Sequence, residues 1–235
     1  MIDLIIIIPF YNEEEIVKTV INEWNSKLKI SDIKYEIHAY NDGSGDNTLN
    51  ILNNLEKKID NLVVIDKENT GHGPTILIGY KNASSKWIFQ VDGDSEISSD
   101  YFMEFWNQRH DKDLVIGYRI NRYRSFNFRR LISFTASFFI KIFYGGMIND
   151  VNCPYRLINR EIFKPYIDKI YDKTFAPNVI ISGIANLKGL RVNQMPILYN
   201  IRTTGTFSLT NYNILFNSAK SFFQLIFYRL YRINK

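Results

Sequence analysis

Four short apolar runs in the first hundred residues each end in a group of acidic, amide or glycine residues, and helical patterns separate them. The runs are 4–8, 35–40, 62–66 and 87–91. Runs this rich in Ile and Val indicate strands buried on both faces, which is typical of parallel sheets. Strands that alternate with helices predict a doubly wound α/β sheet, in which ligands bind at the carboxyl ends of the strands.

The second half of the chain continues this alternation. Apolar patterns predict strands at 114–118 and 191–199, whereas residues 150–157 form either a polar strand or a loop. Helical spacing of apolar residues predicts helices in five segments, namely 13–28, 49–59, 74–81, 98–109 and 175–187. The sequence therefore predicts an α/β protein with one mostly parallel sheet and helices on both faces.

Two aspartates, Asp92 and Asp94, follow the fourth apolar run with only Gly93 between them. Two carboxylates at the mouth of a buried strand repel each other and lose solvation, and a divalent cation relieves both costs. Oxygen ligands suit Mg²⁺ or Mn²⁺, and Mg²⁺ usually binds substrate phosphates as well. The pattern therefore favours a metal site for a phosphorylated ligand. The alternative is an acidic turn in which Gly93 is left-handed.

The charge of the chain favours an anionic partner. The net charge is +5, which is compatible with binding to nucleic acid, to a membrane surface or to a phosphate substrate. Seven basic residues lie between 109 and 130, namely Arg109, Lys112, Arg119, Arg122, Arg124, Arg129 and Arg130. The single cysteine, Cys153, excludes a disulfide framework and fits a reducing compartment.

Two amphipathic segments stand out in the C-terminal half. The apolar residues 131–144, within the segment 126–145, would form a helix roughly 21 Å long, too short for roughly 30 Å of hydrocarbon. That helix either lies in a membrane interface or is buried in the protein. In the segment 211–235, one apolar stripe comprises Leu215, Ala219, Phe222, Phe223, Ile226 and Leu230. This segment either packs on the sheet domain or binds a membrane.

Four segments of the first hundred residues resemble the family 2 nucleotide-sugar glycosyltransferases, which have the GT-A fold. They are Ile7-Ile8-Pro9-Phe10-Tyr11-Asn12-Glu13, Asn41-Asp42-Gly43-Ser44, Asn69-Thr70-Gly71-His72-Gly73 and Asp92-Gly93-Asp94. Their order, spacing and placement at strand ends agree with that family over residues 2–97. Residues 114–208 resemble the polyprenyl-phosphate branch of the family, of the dolichol-phosphate mannose synthase type. This second match rests on Gly117-Tyr118-Arg119, Arg129-Arg130-Leu131-Ile132-Ser133, Asp150 with Arg156, and Arg202 with Gly205.

The resemblance implies a role for each strand-end residue on the donor side. Pro9, Tyr11, Glu13 and Asp42 would hold the base and ribose of a nucleotide diphosphate sugar. Asp92 and Asp94 would bind Mg²⁺ or Mn²⁺ on the diphosphate. Because the metal neutralises the leaving group, we expect Asp94 to be essential for catalysis. The resemblance also implies inversion at the anomeric carbon.

The acceptor decides whether the reaction needs a general base. A phosphate monoester, with a second pKa of roughly 6, is largely ionised at neutral pH and attacks without losing a proton. Arg119, Arg129, Ser133 and Arg202 would bind a polyprenyl phosphate, since guanidinium groups bind phosphate in a bidentate manner. A hydroxyl of a lipid-linked or surface glycan needs a base, and Asp150 is then the candidate.

These patterns predict an organisation and a location for the chain. Residues 1–210 form the catalytic domain, with a nucleotide-sugar half (1–97) and an acceptor half (98–210), and residues 211–235 form a C-terminal amphipathic helix. We expect a cytoplasmic enzyme that is peripheral on the inner face of the membrane and does not bind nucleic acid. Two rivals are a nucleotidyltransferase and a basic nucleic-acid or membrane-binding module. A dinucleotide-dependent oxidoreductase is disfavoured because no Gly-x-Gly-x-x-Gly follows the first strand.

Overall fold

The computed structural model describes residues 2–120, 144–146, 148–200 and 223–230. Within these residues, one sheet contains seven strands in the order β3-β2-β1-β4-β6-β5-β7. The strands are β1 (Leu4–Phe10), β2 (Tyr35–Asp42), β3 (Leu62–Lys67), β4 (Trp87–Gln90), β5 (Leu114–Arg119), β6 (Arg156–Asn159) and β7 (Val192–Ile197). The described residues include the helices α1 (Val17–Lys29), α2 (Thr48–Glu56), α3 (His72–Asn82), α4 (Phe102–Asn107), α5 (Arg160–Ile167) and α6 (Pro177–Leu187). A further helix, α7, covers residues 223–230.

Most of the sheet is parallel, as the sequence predicts. β1 pairs in parallel with β2 and β4, β2 with β3, and β5 with β7. β6 is the exception, because it lies between β4 and β5 and runs antiparallel to both. The carboxyl ends of β1, β2, β3 and β4 therefore share one edge of the sheet, which is the edge where α/β proteins bind ligands.

The core joins the two halves of the chain through aromatic side chains. Every residue of β1 is buried, which explains its continuous apolar run. The ring of Phe89 on β4 lies 5.5 Å from Trp24 on α1, 5.1 Å from Phe102 on α4 and 4.7 Å from Tyr155. Since edge-to-face contacts of this kind add to the free energy of burial, the cluster fixes β4 against both helices.

The structure refines two of the predicted elements and adds one helix. The uncertain segment 150–157 ends in a short strand, β6, that begins only at Arg156. The predicted helix 98–109 is a 3₁₀ turn over Ser99–Tyr101 followed by the shorter α4. Helix α5 was not predicted, because it has only eight residues and contains Pro165. Its first turn is capped by the Asn159 side chain, which accepts a hydrogen bond from the amide of Glu161.

The predicted amphipathic segments are described only in part. Of the segment 126–145, the structure describes residues 144 and 145. In α7, Leu225 and Tyr228 are buried, whereas Phe223 and Leu230 of the predicted stripe are 69% and 61% exposed. Packing therefore uses a different face of this helix from the predicted apolar stripe. Among the described residues, no helix combines the length and hydropathy needed to cross a bilayer.

Candidate active site

The loops after β1 and β2 are tied together at the carboxyl edge of the sheet. The amide of Asn12 donates to Ser44 Oγ at 3.1 Å, and Asn12 Oδ1 accepts from the amide of Gly45 at 2.8 Å. The amide of Glu13 donates to Thr48 Oγ1 at 2.9 Å. The parallel register, which pairs Pro9 with Tyr40, brings Pro9, Tyr11 and Glu13 next to the Asp42 turn. These predicted nucleotide-binding residues therefore share one edge.

Asp42 connects the loop after β2 to the loop after β3. It is only 3% exposed, and its carboxylate accepts from Lys67 Nζ, from the Thr70 amide at 2.9 Å and from the Gly71 amide at 3.0 Å. Burial opposes ionisation of Asp42, but these hydrogen bonds and the positive charge of Lys67 hold its pKa below the ordinary value. Asp42 thus fixes the glycine loop that precedes α3, and its predicted contact with a base or ribose stays a prediction.

Gly93 allows the two metal-candidate aspartates to follow β4 directly. A Cβ atom at Gly93 would lie 2.6 Å from the Phe10 ring and 2.7 Å from the Pro9 carbonyl oxygen. In this turn the left-handed residue is Ser95, with φ 56°, and not Gly93. The predicted left-handed conformation of Gly93 is therefore wrong, and glycine is required because β1 and β4 approach closely. The metal site at Asp92 and Asp94 stays a prediction.

Asp92 and Asp94 have opposite electrostatic environments. Burial, then the charges of Asp92 and Glu96, raise the pKa of Asp94 to about 8. Burial also opposes ionisation of Asp92. This effect is outweighed by His72, whose Nε2 lies 3.3 Å from Asp92 Oδ1, together with the charge of Arg119 and a hydrogen bond from Gln90. The pKa of Asp92 is therefore below its ordinary value.

The donor set at this position fits a hard divalent cation, because carboxylate oxygens are the ligands that Mg²⁺ and Mn²⁺ prefer. The part of the chain that the structure describes contains no group of three or more His, Cys, Asp or Glu side chains arranged for a metal. Asp92 and Asp94 would thus share a cation with oxygens of the substrate. A positive charge here would also offset the repulsion that raises the pKa of Asp94.

The end of β5 places Arg119, which is paired with Asp150, beside the carboxylates that follow β4. Arg119 donates from Nε to Asp150 Oδ2 at 2.6 Å and from Nη2 to Asp150 Oδ1 at 2.9 Å. The two side chains are 11% and 9% exposed. Burial opposes the charge of Arg119, but the hydrogen bonds and charge of Asp150 outweigh this and raise the pKa of Arg119. Of the other predicted acceptor ligands, Arg129, Ser133 and Arg202 lie outside the described residues.

A small cavity joins the carboxylates after β4 to the arginine of β5. Its polar lining comprises Asp92, Asp94, Glu96, Arg119 and Tyr199. The Tyr199 hydroxyl donates to Glu96 Oε2, and the Arg119 guanidinium lies 5.6 Å from the centroid of the Tyr199 ring. The cavity therefore combines acidic groups for a cation with a positive group for an anion.

Two residues of this edge, Lys67 and Tyr199, were not identified from the sequence. Both lie at or just after a strand end, Lys67 on β3 and Tyr199 after β7. Position at a strand end could have identified Lys67 from the sequence. For Tyr199 it indicates the site only once the parallel pairing of β7 with β5 is known. A larger cleft of about 570 Å³ lies at the opposite edge, beside Asp3 and Trp87, and contains none of the predicted site residues.

Comparison with known sequences decides the family. The sequence model of glycosyl transferase family 2 matches residues 5–167, which include all of β1 except Leu4, the Asp42 turn, Asp92, Asp94, Arg119 and Asp150. The chain belongs to this family. Membership favours glycosyl transfer over both rivals considered from the sequence, the nucleotidyltransferase and the nucleic-acid module.

Two curated relatives of this family 2 glycosyltransferase are named for polyprenyl phosphates. A dolichyl-phosphate beta-glucosyltransferase of Trichomonas vaginalis is 24% identical over 211 residues, which are 84% of this chain and 65% of the relative. An undecaprenyl-phosphate 4-deoxy-4-formamido-L-arabinose transferase of Yersinia pestis is 26% identical over 175 residues, or 73% of this chain and 53% of the relative. The predicted resemblance to this branch is confirmed. The chain spans about two-thirds and about half of the length of these relatives.

A solved structure confirms the GT-A fold of this family 2 glycosyltransferase. Glucosyl-3-phosphoglycerate synthase from Mycobacterium tuberculosis, in complex with Mn²⁺, UDP-glucose and phosphoglyceric acid, matches with a TM-score of 0.69. The match covers 97% of this chain and 79% of that chain, at 13% sequence identity. At this identity the likeness establishes the fold and leaves the substrates open.

Proposed function

We propose that the protein transfers a sugar, with inversion at the anomeric carbon, from a nucleotide diphosphate sugar to a polyprenyl phosphate. The observation that carries this proposal is the cavity in which Asp92 and Asp94 meet Arg119, since it unites groups suited to a metal diphosphate and to a second phosphate. The two relatives named for dolichyl and undecaprenyl phosphate support the same class of acceptor.

On the donor side, the loops at the carboxyl edge would bind the nucleotide. Pro9, Tyr11 and Glu13 would contact the base and ribose, and Asp42 would hold the glycine loop while reaching the nucleotide with its remaining acceptor capacity. Asp92 and Asp94 would hold Mg²⁺ or Mn²⁺. When bound, such an ion supplies charge neutralisation for the departing nucleoside diphosphate.

On the acceptor side, the pairing of Arg119 with Asp150 favours a phosphate. A phosphate monoester is largely ionised at neutral pH, so that its oxygen attacks the anomeric carbon without a base. Arg119, together with Arg129, Ser133 and Arg202, would bind this phosphate. Both oxygens of Asp150 accept hydrogen bonds from Arg119, which stabilise the ionised carboxylate and make it a weak base. Asp150 is then the group that orients Arg119.

In the alternative function, a hydroxyl of a lipid-linked or surface glycan is the acceptor and Asp150 removes its proton. This function needs Asp150 to take up a proton, and the two hydrogen bonds from Arg119 stabilise its ionised form against protonation. The present geometry therefore favours the phosphate.

We further propose that the protein works at the inner, cytoplasmic face of a membrane as a peripheral enzyme. On α7, Phe223, Phe227 and Leu230 are 69%, 55% and 61% exposed, and Arg229 lies beside them in the sequence. An apolar helix face with adjacent basic residues is suited to an anionic membrane interface. Sedimentation with vesicles that contain anionic lipid, compared with neutral vesicles, tests this location.

A turnover assay tests the proposed reaction. The protein would receive UDP- and GDP-sugars with Mn²⁺, and either a short-chain polyprenyl phosphate or the matching free alcohol, with Asp94→Asn as the inactive control. We expect a glycolipid product from the polyprenyl phosphate but not from the free alcohol, and we expect none from Asp94→Asn. If nucleoside diphosphate is released but neither the polyprenyl phosphate nor the alcohol is glycosylated, the acceptor assignment is overturned and a glycan hydroxyl is favoured. In that case Asp150→Asn should lower kcat, whereas an arginine-orienting Asp150 should mainly affect KM for the phosphate.

A further inference from the structure

We infer that three buried side chains, Tyr80, Asn178 and Gln90, position Asp92 for its cation. Together they form what we call the Asp92 relay. The Tyr80 hydroxyl donates to Asn178 Oδ1 at 2.8 Å, Asn178 Nδ2 donates to Gln90 Oε1 at 3.0 Å, and Gln90 Nε2 donates to Asp92 Oδ1 at 2.9 Å. This inference rests on the proposed function, because it assigns the relay to the metal site formed by Asp92 and Asp94.

The relay is closed to water. Tyr80 and Gln90 are 0% exposed and Asn178 is 4% exposed. A buried polar atom that loses its hydrogen-bond partner is destabilising, so each member of the relay depends on the next one. Only Asp92, which is more exposed, reaches the active-site cavity.

The direction of the relay follows from the chemistry of its last member. An ionised carboxylate only accepts hydrogen bonds, so the amide nitrogen of Gln90 must face Asp92. The oxygen of Gln90 must then face the amide nitrogen of Asn178, and the oxygen of Asn178 must face the Tyr80 hydroxyl. Every hydrogen bond therefore points toward Asp92, which favours the ionised form of its carboxyl and restricts its rotation.

Arg156 attaches the relay to the acceptor half. This residue is fully buried, and its Nη1 donates to the carbonyl oxygen of Asn178 at 2.9 Å. Its other hydrogen bonds go to Ser182 Oγ and to the carbonyl oxygens of Val151 and Cys153. The guanidinium thus holds the first turn of α6, which carries Asn178, against the segment that follows Asp150. A cation bound at Asp92 would therefore depend on packing between the two halves.

Binding of Mn²⁺ in the presence of saturating UDP, whose diphosphate would supply the remaining oxygen ligands, tests the relay without a measurement of activity. Free Mn²⁺ would be followed by electron paramagnetic resonance during titration of the wild type, Gln90→Met, Asn178→Leu and Tyr80→Phe. Removal of groups that orient metal ligands lowers metal affinity by about 10- to 100-fold. We expect a loss in this range for Gln90→Met, a smaller loss for Asn178→Leu and the smallest for Tyr80→Phe. The reason is that the effect on the position of Asp92 decreases with the number of hydrogen bonds between Asp92 and the substituted residue.

Tyr155→Phe provides a matched control. Tyr155 is a fully buried tyrosine, and the described residues supply no hydrogen-bond partner for its hydroxyl. We expect its removal to leave Mn²⁺ affinity unchanged. Thermal melting of every variant, together with UDP binding without metal, would show whether the fold is intact, since a merely structural defect would weaken both ligands.

The outcomes separate the relay from the proposed function. If Asp92→Asn loses Mn²⁺ affinity while folded Gln90→Met and Asn178→Leu bind like the wild type, the relay is wrong and the metal site stands. If Asp92→Asn binds Mn²⁺ as the wild type does, the metal site itself fails and the relay fails with it. An equal loss in Tyr155→Phe would also overturn the relay, because the effect would then come from any change in the buried core.

Discussion

The two halves of the sheet hold their charged groups in different ways. In the predicted nucleotide-sugar half (residues 1–97), the carboxylate of Asp42 is held by two main-chain amides and Lys67, whereas Asp94 lies near two other carboxylates, and its pKa is raised to about 8. In the predicted acceptor half (residues 98–210), Arg119 and Asp150 pair with one another. The first half therefore has acidic charge that a cation would balance, and the second half balances its own charge.

The two halves should therefore respond differently to substitution of their charged residues. The acceptor half has a stable charge pair before any ligand arrives, so that substitution there should affect folding first. The Asp92–Asp94 turn is less favourable without a cation, so that substitution there should affect activity first. Substitutions in both halves test this contrast.

The largest effect on stability is expected from Asp150→Asn. It leaves the buried Arg119 charge without its carboxylate, and breaking a buried pair in this way costs about 3–5 kcal/mol. Urea denaturation measures the loss. The double variant Arg119→Met with Asp150→Leu removes both charges and should recover most of the stability. A single variant as stable as the wild type would contradict the view that this half is held by the pair.

Asp94→Asn should lower activity strongly without lowering stability. Loss of one metal ligand removes several kcal/mol of charge stabilisation from the transition state, so that sugar transfer should fall by roughly 10²- to 10³-fold. The melting temperature should stay the same or rise, since the substitution relieves repulsion from Asp92 and Glu96. Activity near that of the wild type, or a clear drop in the melting temperature, would remove the contrast between the halves.

Asp42→Asn should lower stability in a pH-dependent way. The pKa of Asp42 is below its ordinary value, so its stabilising effect is complete above the unfolded-state pKa of about 3.9 and disappears as the pH falls through the folded-state pKa. At pH 7 the loss should be about 1.5–3 kcal/mol, the range for hydrogen bonds to charged groups. Urea denaturation at pH 7 and near pH 3 should show the difference from the wild type shrinking in acid. A constant difference would mean that the charge of Asp42 is not responsible.

Packing between the halves is tested where helix α3 contacts the acceptor half. A Cβ atom at Gly73 would collide with the carbonyl oxygens of Phe175 and Thr174. Gly73→Ala should therefore cost about 1–3 kcal/mol in thermal or urea denaturation, which is typical of overpacking. At Gly45 no atom of the described residues lies within 4 Å of the position that a methyl group would take, so that Gly45→Ala is the matched control and should be neutral or slightly stabilising. Equal effects of the two variants would show that the contact between the halves is loose.

The sequence predicted the nucleotide-sugar half more completely than the acceptor half. Each strand from β1 to β4 carries its functional residues just after its last apolar residue, so that the placement of Asp42, Asp92 and Asp94 follows from local pattern alone. The acceptor half depends on β6, which begins at Arg156 and enters the sheet between β4 and β5, out of chain order. Its four residues are too few for a periodic pattern, and the antiparallel direction differs from that of its neighbours.

The sequence by itself determined the α/β class, the edge of the sheet where the candidate site lies and the chemical types of the candidate residues. These depend on periodicity and on residues adjacent in the chain. Only the tertiary structure decided that Arg119 pairs with Asp150, that Tyr199 reaches Glu96, and that hydrogen bonds connect Tyr80 and Asn178 to Asp92 through Gln90. Tyr80 and Asn178 are separated by 98 positions in the sequence. Such contacts are set by how strands are ordered and helices packed, and no local pattern encodes that order.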